Sequence, residues 1–256
     1  MSDSAMQPSA ESMQTDSGLT QWQRVSNTFF APSKTFDDIS RGHRSWWLPF
    51  LITILFTYLV FGAVTMKVGW RQVAETNMAA SPRQADRMSQ LTPAQRERAM
   101  GIAAVVTEVV AAASPVMVLI GACLVSLLLW GTMNFVFGGK STFAEIFVVD
   151  MYAMLPHIIP PILGAVALFA GMAPESFNLN NMAATNVAYF FSFQDTNKAL
   201  YAFLSQLDFV NLWVAILLSI GIAKVAGKKK SVGFITVFGW WGAWTLIRVA
   251  LGFVAG

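Results

Sequence analysis

Few side chains in this 256-residue chain are placed to do chemistry, and those few sit inside apolar runs. Asp150 leads them, a carboxyl set between Val148-Val149 and Met151. A charged Asp in the middle of a bilayer costs about 2.5–3.5 kcal/mol on insertion scales, so it must be paired, hydrogen-bonded or protonated. At 1.5 Å per helical residue it lies about 10 Å beyond Phe143, while Asn134 and Trp130 lie about 5 and 10 Å back from Phe137 on the preceding run. The three can meet, and the stem of Lys224 is long enough to reach the same level. Two readings stay open for this intramembrane polar cluster: a proton or cation site in which Asp150 titrates, or a polar clamp between helices. A second constellation lies further along the same run, where Pro160 and Pro161 free the carbonyls of Pro156 and His157 from their helical partners. Arg248 either donates to that broken turn or snorkels to the outer interface.

Other chemistries are poorly supported. Gly138-Gly139-Lys140-Ser141-Thr142 has the tail of a phosphate-binding loop, but the full pattern needs a glycine where Asn134 stands and a strand before it. The same residues suit a helix-terminating glycine, a turn and a Ser or Thr cap for the next helix. With 2 histidines, His43 and His157, no paired-His motif and a single cysteine, Cys123, no metal site, disulfide or cofactor is expected. No activated Ser or Cys nucleophile stands out, so the chain is not expected to be an enzyme.

Composition supplies the compartment. The chain is 55% hydrophobic and 12% charged, with mean hydropathy +0.54, which is far from an ordinary soluble domain. The net charge is only +3 and the basic residues flank apolar runs, which argues against nucleic acid as a partner.

The elements that must position these residues follow from the pattern. Residues 1–20 lack a hydrophobic signal core and are too polar to bury one, so a disordered, cytoplasmic tail is expected. Residues 21–45 place Trp22, Val25 and Phe29 on one helical face, Pro32 as a stop, and Phe36 beyond it. That predicts an interfacial amphipathic helix anchored by Trp22, Phe29, Phe30, Pro32 and Phe36, against the alternative of a solvated linker. Residues 46–256 form an all-α, polytopic membrane domain with five transmembrane helices, at about 46–68, 111–137, 143–169, 209–226 and 232–254. The basic N-terminal flank and the Lys228-Lys229-Lys230 cluster lie close to span ends, which favours a cytoplasmic N-terminus, although Lys67 to Arg98 is also basic.

The order of features resembles the Yip1 domain family, and is most similar to its bacterial branch. The resemblance rests on Phe30-Ala31-Pro32 with Thr35-Phe36 and Ile39, on Trp46-Trp47-Leu48-Pro49, and on Gly138-Gly139-Lys140 with Phe143. It continues through Phe147, Tyr152 and Leu155-Pro156 to Trp213 and Gly221. It implies five spans with a cytoplasmic N-terminus in a bacterial inner membrane. The aspartate-leucine-tyrosine-glycine-proline signature of the eukaryotic, GTPase-associated members is not found before the first span. The expected function is a membrane-organising or partner-binding scaffold, with Lys140, Lys228, Lys229 and Lys230 contacting anionic lipid headgroups, a protein partner or a second copy of the chain. The alternative is a small transporter or ion- or lipid-translocating protein with Asp150 as its titrating group.

Overall fold

The computed structural model describes residues 18–79, 81–193 and 195–255. Helices, with no strand among the described residues, make up the fold. The polar tail expected over 1–20 lies almost wholly outside the described residues. Its last two residues are not free chain: the Leu19 amide donates to Asp38 Oδ1 at 3.0 Å, and Thr20 caps the first helix.

That helix, α1 (Gln21–Phe30), opens with a capping box between Thr20 and Gln23, which satisfies two of the amides a helix start leaves unpaired. Pro32 ends the turn and begins α2 (Pro32–Ser40), since its fixed φ suits the first helical position. Part of the apolar face of this pair packs onto the bundle. Phe36 and Ile39 are fully buried in the main core, and Phe29 packs edge-on against Trp213 at 5.7 Å. Of the five residues expected to anchor the segment, Phe36 is thus a core residue and Phe29 a packing residue; Trp22 and Phe30 remain exposed. Phe36 is drawn into the core because full burial removes more apolar surface from water than partial burial does.

The long apolar helices follow. Among the described residues four are long and apolar enough to cross a membrane: α3 (Trp47–Lys67); α7 (Ser114–Gly131), prolonged to Val136 by a π-helical turn; a broken helix over Phe143–Phe169; and α12 (Lys230–Ala255). Between α3 and α7 come α4 (Trp70–Ala79), α5 (Pro82–Ser89) and α6 (Pro93–Ala112). The second span begins at Ser114 rather than near 111, because Pro115 lacks the donor that would join α6 to α7 without a break. The broken helix is α8 (Phe143–Ala153), a 3-10 turn (Leu155–Ile158) and α9 (Ile159–Phe169). After α10 (Lys198–Gln206) comes α11 (Phe209–Val225), 17 residues long. That is about 25 Å, short of the roughly 30 Å hydrocarbon core.

Two clusters hold the bundle. One joins α2, α7, α8 and α11 around Phe36, Met133, Tyr152 and Ile222; the other joins α3, α4 and α9 around Val64, Trp70 and Phe177. The α7–α8 link is tight because Gly138 adopts φ 62°, a conformation that costs glycine little. A Cβ on Gly139 would lie 2.8 Å from the Met133 carbonyl oxygen. Thr142 and Glu145 then close a capping box on α8.

Candidate functional site

Asp150 is 2% exposed. Its carboxylate accepts a hydrogen bond from the Ser126 hydroxyl at 3.2 Å, and this buried pair joins α8 to α7. The cluster expected around it does not form. Trp130 Nε1 and Asn134 Nδ2 both donate to the Ser141 carbonyl, at 3.0 and 2.7 Å, and Asn134 Oδ1 accepts from the Ser141 amide at 3.1 Å. Both side chains therefore build the turn. Lys224 pairs with Asp37 on α2, at 2.5 Å. The physical reason is the way the turn folds back: Ser141 lies beside Trp130 and Asn134, so α8 starts deeper than a count from Phe137 assumes. Asp150 passes the level of Trp130 and meets Ser126, one turn further along α7.

The N-terminal helices carry a second buried constellation that the sequence pattern did not single out. Arg24 Nε and Asp38 Oδ2 are 3.0 Å apart, with side chains 6% and 4% exposed. Arg24 Nη1 donates to the His43 carbonyl at 3.2 Å and Nη2 to the Leu19 carbonyl at 3.3 Å. His43 Nδ1 lies 3.1 Å from Asp38 Oδ1, and the Arg24 guanidinium sits over the Tyr152 ring at 5.9 Å. A buried pair needs this number of extra hydrogen bonds to offset desolvation. The available signal was Arg24 on the same helical stripe as Thr28, a polar face of the kind that hydrophobic periodicity ignores.

Around this constellation the basic end takes shape. Arg44 bonds Glu145 on α8 at 2.7 Å. A groove of about 310 Å³ lies where α2 meets the α11–α12 turn, lined by Ser33, Asp37, Lys224, Lys228 and Lys230. Lys228 Nζ reaches the Gly138 turn, 3.9 Å from where a Cβ on that glycine would stand. Lys140, Lys229 and Lys230 are exposed beside it. The basic residues of three separate segments thus share one end of the bundle.

The proline break lies midway along the Phe143–Phe169 span, between α8 and α9. Pro156 and His157 fall in the 3-10 turn, and the Pro156 carbonyl accepts from the Ile159 amide. Tightening to 3-10 geometry satisfies that carbonyl locally, so no bond from Arg248 is needed, and none is formed among the described residues. Pro160 and Pro161 occupy the first turn of α9, where their missing amides cost nothing. His157 Nε2 lies 2.9 Å from Asn211 Oδ1. Arg248 and His157 do share a wall: both line a cavity of about 750 Å³ between α7, α10, α11 and α12.

A membrane bundle with two N-terminal helices folded onto its basic end, a Gly-Gly-Lys turn and a Leu-Pro break is matched by a family model, that of the Yip1 domain, over residues 26–252. The chain belongs to the Yip1 domain family. No curated protein and no solved structure matches it. Together with its four long apolar helices, membership makes this Yip1 protein an integral, multi-pass membrane protein. The match begins inside α1 and ends near the close of α12, so it takes in the Arg24–Asp38 partner Asp38, the Asp150–Ser126 pair and both ends of the bundle.

Proposed function

We propose that this Yip1 protein organises membranes or binds partners through its basic, cytoplasmic end, and that it is not an enzyme. The reading is carried by one observation: α2, the Lys140 turn and the Lys224–Lys230 segment, far apart in sequence, form one face, with the Lys224–Asp37 and Arg44–Glu145 pairs tying the N-terminal helices to it. In this reading α11 acts as the fifth span, shortened at the level of Asp208 and accommodated by local thinning of the bilayer. The N-terminus then lies inside a bacterial cytoplasmic membrane, and the lysines meet anionic headgroups. The basic loop after α3, which argued for the reverse orientation, is partly neutralised: Arg71 bonds Glu75 and Glu97 at 3.1 and 2.6 Å, and Lys67 lies over the Phe169 ring.

The test is vesicle or lipid-disc binding of the purified protein at its cytoplasmic face. Each lysine contributes about 1 kcal/mol at an anionic surface and loses it with salt. Lys228, Lys229 and Lys230 changed together to Gln are expected to weaken association with anionic membranes and to flatten its salt dependence. Unchanged affinity at low salt would end the proposal.

A transporter reading keeps one observation in its favour, a deeply buried carboxyl whose described partner is a single hydroxyl. It requires that Asp150→Asn abolish a pH-dependent flux in proteoliposomes while the protein stays folded. The scaffold reading expects no flux in either protein.

A further inference from the structure

The cavity of about 750 Å³ at the end remote from the lysines has a size that commonly holds a small amphiphile. Its two halves differ in chemistry. Where α11 begins and α12 ends, the wall is polar, with His157, Asn211, Gln206, Tyr201 and Arg248. Toward the middle of the bundle it becomes apolar, with Val214, Leu218, Trp240, Trp241 and Trp244. Arg248 stands 18 residues beyond Lys230, about 27 Å along α12, so the polar half lies near the far interface and the apolar half at hydrocarbon depth.

Charge is as divided as polarity. Asp208, the acid in the wall, is already committed: Oδ1 accepts from the Val210 and Asn211 amides at 2.8 and 2.9 Å. Its Oδ2 accepts from the Thr185 hydroxyl at 2.6 Å. Among the described residues no carboxylate pairs with Arg248, which leaves this exposed residue as an unpaired cation at the edge of the cavity. Guanidinium binds carboxylate or phosphate oxygens through paired donors.

The cavity also has a side entrance. α12 packs along α11 and α10, and meets the α7 run at the π-helical turn, where Trp240 Nε1 donates to Thr132 Oγ1 at 3.0 Å. Beyond that bond the facing walls are open: Val125 and Leu128 on α7 are 42% and 41% exposed, and Trp240 and Trp244 on α12 are 42% and 55% exposed. These residues lie on spans, so the opening faces hydrocarbon rather than water.

We infer that this cavity binds one anionic membrane lipid, with its headgroup at Arg248 and Gln206 and an acyl chain along the tryptophan wall. The lipid enters sideways between α7 and α12. The site is separate from the lysine face and independent of what that face binds.

Native mass spectrometry of the full-length protein in mild detergent tests this, with phosphatidylglycerol, phosphatidylcholine and inorganic phosphate as probes. One phosphatidylglycerol per chain is expected to survive detergent washing, with phosphatidylcholine, whose phosphate is offset by its own choline cation, retained about fivefold less. Arg248→Gln should bring the first down to the level of the second. Ala243→Phe, which fills the cavity from its wall, should expel both lipids, while Leu246→Phe, on the exposed surface of the same helix, should leave them bound. Melting temperatures identify any variant that misfolds, and the Ala243 and Leu246 pair then decides. Equal retention of the two lipids with indifference to these substitutions would mean ordinary surrounding lipid and would overturn the assignment. Binding of inorganic phosphate that displaces the lipid would overturn the acyl-chain half, leaving a free-anion site.

Discussion

Arg24 and Asp38 show what a single pair does in this protein. Removing one partner of a buried ion pair leaves an uncompensated charge, at a typical cost of 3–5 kcal/mol. Arg24→Met is therefore expected to destabilise by about 3 kcal/mol, because the Leu19 amide and His43 still serve Asp38. The double change Arg24→Met with Asp38→Leu should recover most of that loss, which thermal unfolding in detergent would show directly. Ser126→Ala strips Asp150 of its hydroxyl and should cost about 1–3 kcal/mol, whereas Asp150→Asn keeps a bonding group there and should cost less. Neither partner pair was legible in the sequence, although Asp150 itself was. Its burial followed from its apolar flanks, but its partner depended on how deep α8 begins, and that depth is set by three hydrogen bonds inside the Asn134–Ser141 turn. Periodicity marks which residues face inward without saying which of them share a level.

Helix contacts follow another logic, that of close backbone approach. A Cβ on Gly233 would overlap the Ser219 carbonyl oxygen of α11 and lie 2.9 Å from the Ala223 methyl, whereas Gly239, further along α12, has open space around it. Gly233→Ala should thus push α12 off α11 and cost about 1–3 kcal/mol, as overpacking does. Gly239→Ala should be neutral or stabilise by about 0.5–1 kcal/mol through helix propensity. Comparing the two melting temperatures separates packing from propensity. At the remote end, hydrogen bonds from Arg71 hold the Glu97 carboxyl below its ordinary range, and Glu97 in turn raises Arg71. A carboxyl lowered in the folded state stabilises above its unfolded pKa, and that contribution fades as pH falls through the folded value. The pair is fully exposed, so the global effect is small. Hydrogen exchange should nonetheless show α4 and the start of α6 loosening as pH falls below the ordinary glutamate range, and Glu97→Gln should abolish that acid limb. Some helix ends were readable: the Ser or Thr expected to cap the helix after Gly139 is Thr142, and Pro32, expected as a stop, ends α1 and also occupies the first position of α2. The bounds of α11 were readable too, since the apolar run over 209–226 matches Phe209–Val225; what the run did not reveal is the Asp208 side chain that caps it.

One end of the molecule is held together by α1 and α2, which join segments far apart in the sequence. Phe36 fills the core between α8 and α11, where a Cβ on Gly221 would already stand 3.0 Å from its ring, and Asp37 takes its cation from Lys224. The amphipathic pattern of residues 21–45 was legible, yet what covers its apolar face was not, because a helix stripe fits a membrane surface and a bundle equally well. That closure sets an order on biosynthesis. α1 and α2 precede α3 in the chain, but the surface that receives them is finished only when α11 has been made, nearly two hundred residues later. Until then Phe36 and Ile39 lack the α11 side of the core that buries them. A chain cut before α11 is therefore expected to be cleaved faster at α2 than the full chain, which limited proteolysis of the two in membranes would show.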